Sequence, residues 1–594
     1  MAPRRTRSAI RAEMGPAKSF KSSAFKTGLK VLRAGESLSL GEPAELVLED
    51  GTRLRTNAEL PRDLPCGYHE MQTLRVGRKT RLMVTPYECH LPESLHTWGW
   101  AVQLYALRSK DSWGMGDLMD LQKFSKWASR TLNCGFILAN PLVAATPILP
   151  QQASPYFPSS RRFLNPLYLR VEDVPGAAEA KIPAGQLAAA GRALNRERLI
   201  DRDSVFRLKM EALEKIWKRY QAGAAFKSFC ASQGKPLVEF ATFCVLAEHF
   251  QSGWTQWPRS FRHPDSPAVR NFAREHGDRI RFHQWLQWLL DQQLRRAVKE
   301  LPVIQDLPVG VDPAGADAWC WQEMLAQKMA IGAPPDAYSS EGQNWGMQPF
   351  IPQLLRESYY EPFRQTVRAA LRFGGGLRMD HVMGLFRLFW VPGQGSPRDG
   401  TFVHYPADEL LSILAIESHR AGALIIGEDL GTVEPEVRRE LWRRKILSYR
   451  LLWFEPGPVK KFPRRALAAV TTHDLFTVAG LWNGSDGARQ KKLGLNPNKK
   501  EMQKVLNRLR RRVRLRPEAE TVKAVTQTYQ LLAKAPSMLL TATLDDALAV
   551  EERPNMPGTM AGWPNWALAL PHSFESIKKS KLLRTIAKAC NRKK

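Results

Sequence analysis

Gly376-Leu-Arg-Met-Asp380 is a short apolar run that stops on a carboxylate, and the pattern recurs along the chain. Ala423-Leu-Ile-Ile-Gly-Glu428 reaches its acid 48 residues later, and Ala468-Ala-Val-Thr-Thr-His-Asp474 after a further 46. Gly135-Phe-Ile-Leu-Ala-Asn140 and Pro302-Val-Ile-Gln-Asp306 are earlier runs of the same kind. Short apolar runs bounded by polar residues predict buried strands. The intervals leave room for crossover helices. Repeated strand–helix alternation predicts a parallel α/β sheet, either open or closed into a barrel.

In a closed β/α barrel, residues just past the strand C-termini face one cavity. Asp380, Glu428 and Asp474 would then converge there. Any one such acid reads as a helix cap; three, with His or Arg beside two of them, do not. Paired carboxylates are the equipment of glycoside chemistry: one must be ionised to attack the anomeric carbon, the other protonated to release the leaving oxygen. Arg378 lies two residues before Asp380, so both side chains share a strand face. A neighbouring guanidinium favours the carboxylate, which makes Asp380 the nucleophile candidate. Glu428 has no adjacent cation and has Asp429 beside it, which suits an acid kept protonated. Asp474, next to His473, is placed to bond sugar hydroxyls.

Outside these strands the texture differs. Glu45-Leu-Val-Leu-Glu-Asp-Gly-Thr-Arg-Leu54 alternates into an Asp50-Gly51 turn, a hairpin signal. Leu74-Arg-Val76 and Arg81-Leu-Met-Val-Thr85 are further strand candidates, so residues 37–92 predict a small β-sandwich-like domain. Residues 185–300 have helical periodicity and read as an insertion in the catalytic body, 93–576. Its stripe of Phe282, Trp285, Trp288 and Leu289 predicts a packed core face.

The 594 residues are 44% hydrophobic and 24% charged, ordinary for a globular chain with a large core. No stretch approaches ~18 uncharged apolar residues, so no transmembrane helix is expected. Seven scattered cysteines without metal-ligand spacing predict free thiols in a reduced compartment. The net charge of +29 is unusual, and 27 of those charges lie in residues 1–34, 489–516 and 577–594. The other 514 residues carry +2. Residues 1–36 read as a basic, disordered arm, with a transit peptide as the alternative, and 577–594 as a basic tail. Lys499 to Arg516 predicts a helix with Val505, Leu509 and Val513 on one side.

The motifs resemble one family. Gly376-Leu-Arg-Met-Asp-His381 with Met383-Gly-Leu-Phe-Arg-Leu-Phe-Trp-Val-Pro392 is similar to the nucleophile strand of the 4-α-glucanotransferases, or amylomaltases. Ser112-Trp-Gly-Met-Gly-Asp117, Ser154-Pro-Tyr-Phe-Pro-Ser-Ser-Arg161 and Leu164-Asn-Pro-Leu-Tyr168 also resemble it. Gly332-Ala-Pro-Pro-Asp336, Gly342-Gln-Asn-Trp-Gly346, Gly427-Glu-Asp-Leu-Gly431, Thr472-His-Asp474 and Asn555-Met-Pro-Gly-Thr559 follow in family order. Leu64-Pro-Cys-Gly-Tyr-His69 resembles the β-domain of longer bacterial members.

The resemblance implies a (β/α)8 TIM barrel with helical insertions behind a small all-β domain. It implies transfer of α-1,4-glucan segments from a maltodextrin to the 4-hydroxyl of an acceptor glucan or glucose, by a retaining double displacement in the cytoplasm. Asp380 would be the nucleophile, Glu428 the general acid/base and Asp474 the transition-state stabiliser. Arg378, His381 and His473 would bind sugar at the cleavage point. Ser154 and Tyr156 would lie on the donor side, Asp336 and Trp345 on a loop over the acceptor side, and Asn555 on a facing loop. No metal or organic cofactor is implied, and the partners are maltooligosaccharides and α-1,4-glucans.

The rival reading is a nucleic-acid or anionic-polymer binder acting through the basic segments; a retaining α-glucan hydrolase is the nearer enzymatic alternative. No recognition helix, aromatic RNA platform or zinc finger accompanies the charge. Non-specific anion contacts are the expectation for those segments, and no membrane contact is expected.

Overall fold

The computed structural model describes residues 4–14, 28–335, 341–393, 395–431, 433–559 and 561–592. Eight parallel strands close into a barrel. They are β1 (Thr97–Val102), β2 (Phe136–Ala139), β3 (Val303–Leu307), β4 (Gly376–Met379), β5 (Leu424–Gly427), β6 (Leu447–Leu451), β7 (Ala466–Ala469) and β8 (Leu539–Thr543). They follow chain order around the ring, and β8 returns to β1 with Leu539 opposite Thr97. The choice between an open sheet and a barrel is thereby settled as a barrel. Strands β2, β4 and β7 are buried at almost every position, as expected for parallel strands covered on both faces.

Five of these strands are legible as apolar runs, with one shift of frame. The run Ala468–Asp474 is not a strand throughout; β7 ends at Ala469, so Asp474 stands five residues beyond it. Asp380 and Glu428 follow directly on β4 and β5.

The chain divides into two compact units, Met1–Glu93 with Trp321–Ser448, and Ser94–Cys320 with Tyr449–Lys594. The first unit holds a five-stranded sheet in the order Gly28–Arg33, Lys79–Thr85, Gly67–Thr73, Ala44–Val47, Arg53–Thr56. Leu46, Leu60, Met71, Leu82 and Val84 fill its core. The hairpin turns where expected: Gly51 takes φ +89°, and Thr52 N–H donates to Asp50 Oδ1 at 2.9 Å. Leu74–Val76, however, is a turn with Leu74 and Val76 exposed. Two apolar residues in alternation are too short a signal to distinguish a strand from the loop that joins two. Arg4–Met14 is a helix.

In the second unit the insertion is helical, with Gln186–Ala193, Arg202–Trp217, Ala224–Phe250, Pro267–Glu275 and Gly277–Ala297. Phe282 and Trp285 are fully buried, so the aromatic stripe is core. The most basic segment forms the helix Lys499–Val513, which buries Leu506, Leu509 and Val513. Arg512 Nη2 donates to the carbonyls of Glu455, Pro456 and Gly457 at 3.1, 2.6 and 2.6 Å. Arg508 donates to the Trp453 carbonyl, and Arg510 lies 5.3 Å from the Trp482 ring centroid. Two cations of this segment thus dock the helix on the β6–β7 connection, and a third packs on the helix Val478–Trp482 beyond β7. No helix among the described residues is long and apolar enough to cross a membrane.

Candidate active site

In the first unit, Arg378, Asp380, His381, Glu428 and Trp345 come together. Arg378 is buried, and its Nη1 donates to Asp380 Oδ1 at 3.0 Å. The same-face relation read from their spacing holds. Immediately after Asp380 the backbone enters the left-handed region, with His381 at φ +48°. That bend turns the His381 N–H towards Glu428, whose Oε2 accepts it at 2.9 Å. Glu428 Oε1 accepts from Leu430 N–H at 3.0 Å. Its main chain is pinned by Glu428 N–H to the Met379 carbonyl (3.0 Å) and Val382 N–H to its own carbonyl (3.1 Å). Gly427 permits this approach, because a Cβ there would lie 2.9 Å from a Val382 methyl.

Burial pushes the Glu428 carboxyl up, to about 7, against the opposing pull of Arg378; the charge of Asp380 adds to the rise, and the two backbone N–H groups lower it. The acid therefore keeps its proton to a higher pH than an ordinary glutamate, but not for the reason its neighbours in sequence suggest. Asp429 bonds elsewhere, accepting from Ser448 Oγ at 2.6 Å and facing Arg438 at 3.4 Å. Consecutive residues leave a strand on opposite sides, so it is Asp380, 48 positions away, that faces Glu428. Burial also lowers the His381 imidazole, partly offset by Asp380. The Trp345 ring meets His381 edge-on at 5.2 Å. It is carried by a strand at Gln343–Asn344 paired with Met329–Ala333, and its indole N–H donates to Gln343 Oε1 at 2.9 Å. Asp336 lies outside the described residues.

In the second unit, Tyr156, His473, Asp474 and Asn555 come together. His473 Nε2 is 3.3 Å from Asp474 Oδ2. Asn555 Nδ2 donates to Asp474 Oδ1 at 2.7 Å, and its N–H to the His473 carbonyl at 3.1 Å. The Tyr156 hydroxyl donates to Asp306 Oδ2 at 2.6 Å and lies 3.1 Å from His473 Nδ1. Ser154 shapes this segment by accepting the Tyr156 N–H at 3.2 Å.

Three residues of this cluster escape the sequence reading. Asp306 is the fourth residue of β3, inside the strand rather than past its end, and its apolar run gave the strand without giving the acid a role. Trp566 packs its ring 5.1 Å from both Tyr156 and His473, from a loop with no regular pattern. Arg553 donates from Nη1 to the Asp474 carbonyl at 2.8 Å. The motif Ser112–Asp117, by contrast, serves the fold: Asp117 caps the helix Leu118–Leu132, and Ser112 donates to the buried Asp120.

A closed parallel barrel, carboxylates beyond the ends of three of its strands and one of them pushed up to about 7 together define a barrel enzyme of glycoside chemistry. A family model described as 4-alpha-glucanotransferase matches residues 102–573. The 4-alpha-glucanotransferase of Mycobacterium tuberculosis is 39% identical over 94% of this chain and 88% of its own. That of Haemophilus influenzae is 32% identical over 88% and 83%. Among solved structures, amylomaltase from Corynebacterium glutamicum superposes with a TM-score of 0.87, at 29% identity, over 100% of this chain and 96% of that one. The chain belongs to the 4-alpha-glucanotransferase family, and its reaction is the transfer of α-glucan segments.

Proposed function

We propose that Asp380 is the nucleophile, Glu428 the general acid/base and Asp474 the transition-state stabiliser of a retaining double displacement. The donors are maltooligosaccharides or longer α-1,4-glucans, and the acceptor is the 4-hydroxyl of a second glucan or of glucose. The observation that carries the reading is Glu428: a buried carboxyl pushed up to about 7, facing the Asp380 carboxyl that Arg378 holds by hydrogen bond.

Asp380 attacks the anomeric carbon while Glu428 protonates the departing 4-oxygen, leaving a glucosyl ester on Asp380. Ester formation removes the Asp380 charge. The contribution that raised Glu428 disappears, while that of Arg378 remains. Glu428 therefore becomes more acidic once its proton has been given away, and its carboxylate is ready to accept the proton of an incoming 4-hydroxyl. One residue thus serves as acid in the first half and base in the second.

Arg378, His381 and His473 hold the sugar at the cleavage point. Ser154 and Tyr156 bind on the donor side, and Trp345 and Asp336 on the acceptor side, with Asn555 on a facing loop. Tyr and Trp rings suit sugar C–H faces, while the hydroxyls take polar partners. Transfer outcompetes hydrolysis when an acceptor sugar, rather than water, is positioned at the ester; we assign that task to Trp345, whose ring lies against His381. The cytoplasm is the proposed compartment, supported by seven free cysteines.

The test is maltotriose. The wild-type chain should give glucose and a ladder of longer maltodextrins, and Asp380→Asn should give neither while keeping its fold. Glucose and maltose without longer products would mean a hydrolase.

A further inference from the structure

Two residues of one segment grip Asp474. Asn555 holds its carboxylate, and Arg553 holds its main-chain carbonyl. Arg553 is 6% exposed, and it is paired with Asp486, 1% exposed. The pair is a two-pronged fork, Nε to Oδ1 at 2.9 Å and Nη2 to Oδ2 at 2.7 Å. Such a fork fixes the guanidinium plane and with it the directions of the two Nη1 N–H bonds. One of them meets the Asp474 carbonyl. Asp486 is fixed in turn in the first turn of the helix Ser485–Lys492, where Gln490 Nε2 donates to it at 2.7 Å. The segment leading to Arg553 is anchored on the same stretch: Glu551 accepts from Arg489 Nη2 at 3.1 Å and from Asn483 Nδ2 at 2.5 Å.

We infer that Arg553 and Asp486 form a positioning device for Asp474. This rests on the role given to Asp474 above and adds what sets its geometry. β7 ends at Ala469, so Asp474 sits on a loop five residues from rigid support, unlike Asp380 and Glu428 at their strand ends. A carboxylate that must meet sugar hydroxyls in the transition state loses its effect when displaced by about 1 Å. The buried fork supplies the rigidity that the strand does not. Asn555, two residues past Arg553, reaches the carboxylate from the same anchored segment, so one buried ion pair orients both the carbonyl and the side chain.

Arg553→Lys keeps the positive charge but cannot reproduce the fork and the third donation together. It should lower kcat at least tenfold with little change in KM for maltotriose. Because loss of a buried partner can unfold a protein, Arg553→Met combined with Asp486→Leu removes both charges and serves as the second variant; it should be folded by circular dichroism and show the same kcat loss. Each is then placed on Asp474→Asn, with α-maltosyl fluoride as donor to keep residual rates measurable. A residue that acts through Asp474 should cost less than about twofold in that background, since coupled residues are not additive. Unchanged kcat with only a lower melting temperature, or the same loss with and without Asp474, overturns the inference. Full activity of Asp474→Asn refutes the role of Asp474 itself; an inactive Asp474→Asn beside a fully active Arg553→Lys refutes the positioning role alone.

Discussion

Glu428→Gln, assayed with two donors across pH, tests the acid/base assignment quantitatively. With a carboxyl at about 7, Glu428 is almost fully protonated at pH 5.5 and about one-tenth protonated at pH 8. Its kcat/KM for maltotriose should therefore fall about tenfold per pH unit above 7. α-Maltosyl fluoride carries a leaving group that departs without a proton, so its first step should show no such fall. Glu428→Gln should lose about 10²–10⁴-fold with maltotriose at pH 5.5, the usual share of proton transfer. With the fluoride, release of fluoride in a single turnover should stay within a few-fold of wild type. The ratio of the two donors thus reports on the proton alone, free of losses from binding or folding. An equal loss with both donors, or an alkaline fall shared by both, would refute the reasoning.

Glu428 also predicts a stability effect. Its carboxyl is raised on folding, so the folded state favours the protonated form; that stability is complete below the unfolded value near 4.3 and is lost as pH passes about 7. Glu428→Gln should therefore gain roughly 3 kcal/mol relative to wild type between pH 4 and pH 8.5 in denaturant titrations; a pH-independent difference would contradict the burial argument. Tyr156→Phe deletes the hydroxyl between Asp306 and His473, and should reduce kcat/KM about 10–100-fold, the value of a hydrogen bond to a charged group. Trp345→Ala should raise the proportion of hydrolysis to transfer, and an unchanged ratio would remove Trp345 from that role. Arg508→Met with Arg512→Met should lower the melting temperature without changing kcat, and retention on heparin should vanish near ~0.2 M salt in both chains.

The sequence exposes some of this machinery because backbone geometry does the work there. An acid directly after an apolar strand, as at Asp380 and Glu428, is placed by the strand itself, so residue order and spacing suffice. The Arg378–Asp380 pairing is legible for the same reason: two residues on one strand share a face. Asp429 misleads by the converse rule, since adjacency along a strand means opposite sides. Trp566 and Arg553 are invisible to spacing arguments because tertiary contacts alone bring them to Tyr156, His473 and Asp474, whereas Asp306 lies in a legible strand and only its hydrogen bond with Tyr156 shows its part in the cluster. β6 hides because its alternating burial, with Ser448 and Arg450 partly exposed, lacks the continuous apolar signature of its neighbours. The net charge, conspicuous in composition, resolves in part into fold: Arg508, Arg510 and Arg512 dock a helix rather than meet a partner.

The central claim is the ester on Asp380. Glu428→Gln incubated with α-maltosyl fluoride should accumulate it, because the first step needs no acid and the second lacks its base. Proteolysis and mass spectrometry should then find one maltosyl unit on the peptide that contains Gly376–His381, localised to Asp380 by fragmentation. A maltosyl adduct on another residue, or turnover of the fluoride with no adduct under rapid acid quench, would contradict the account.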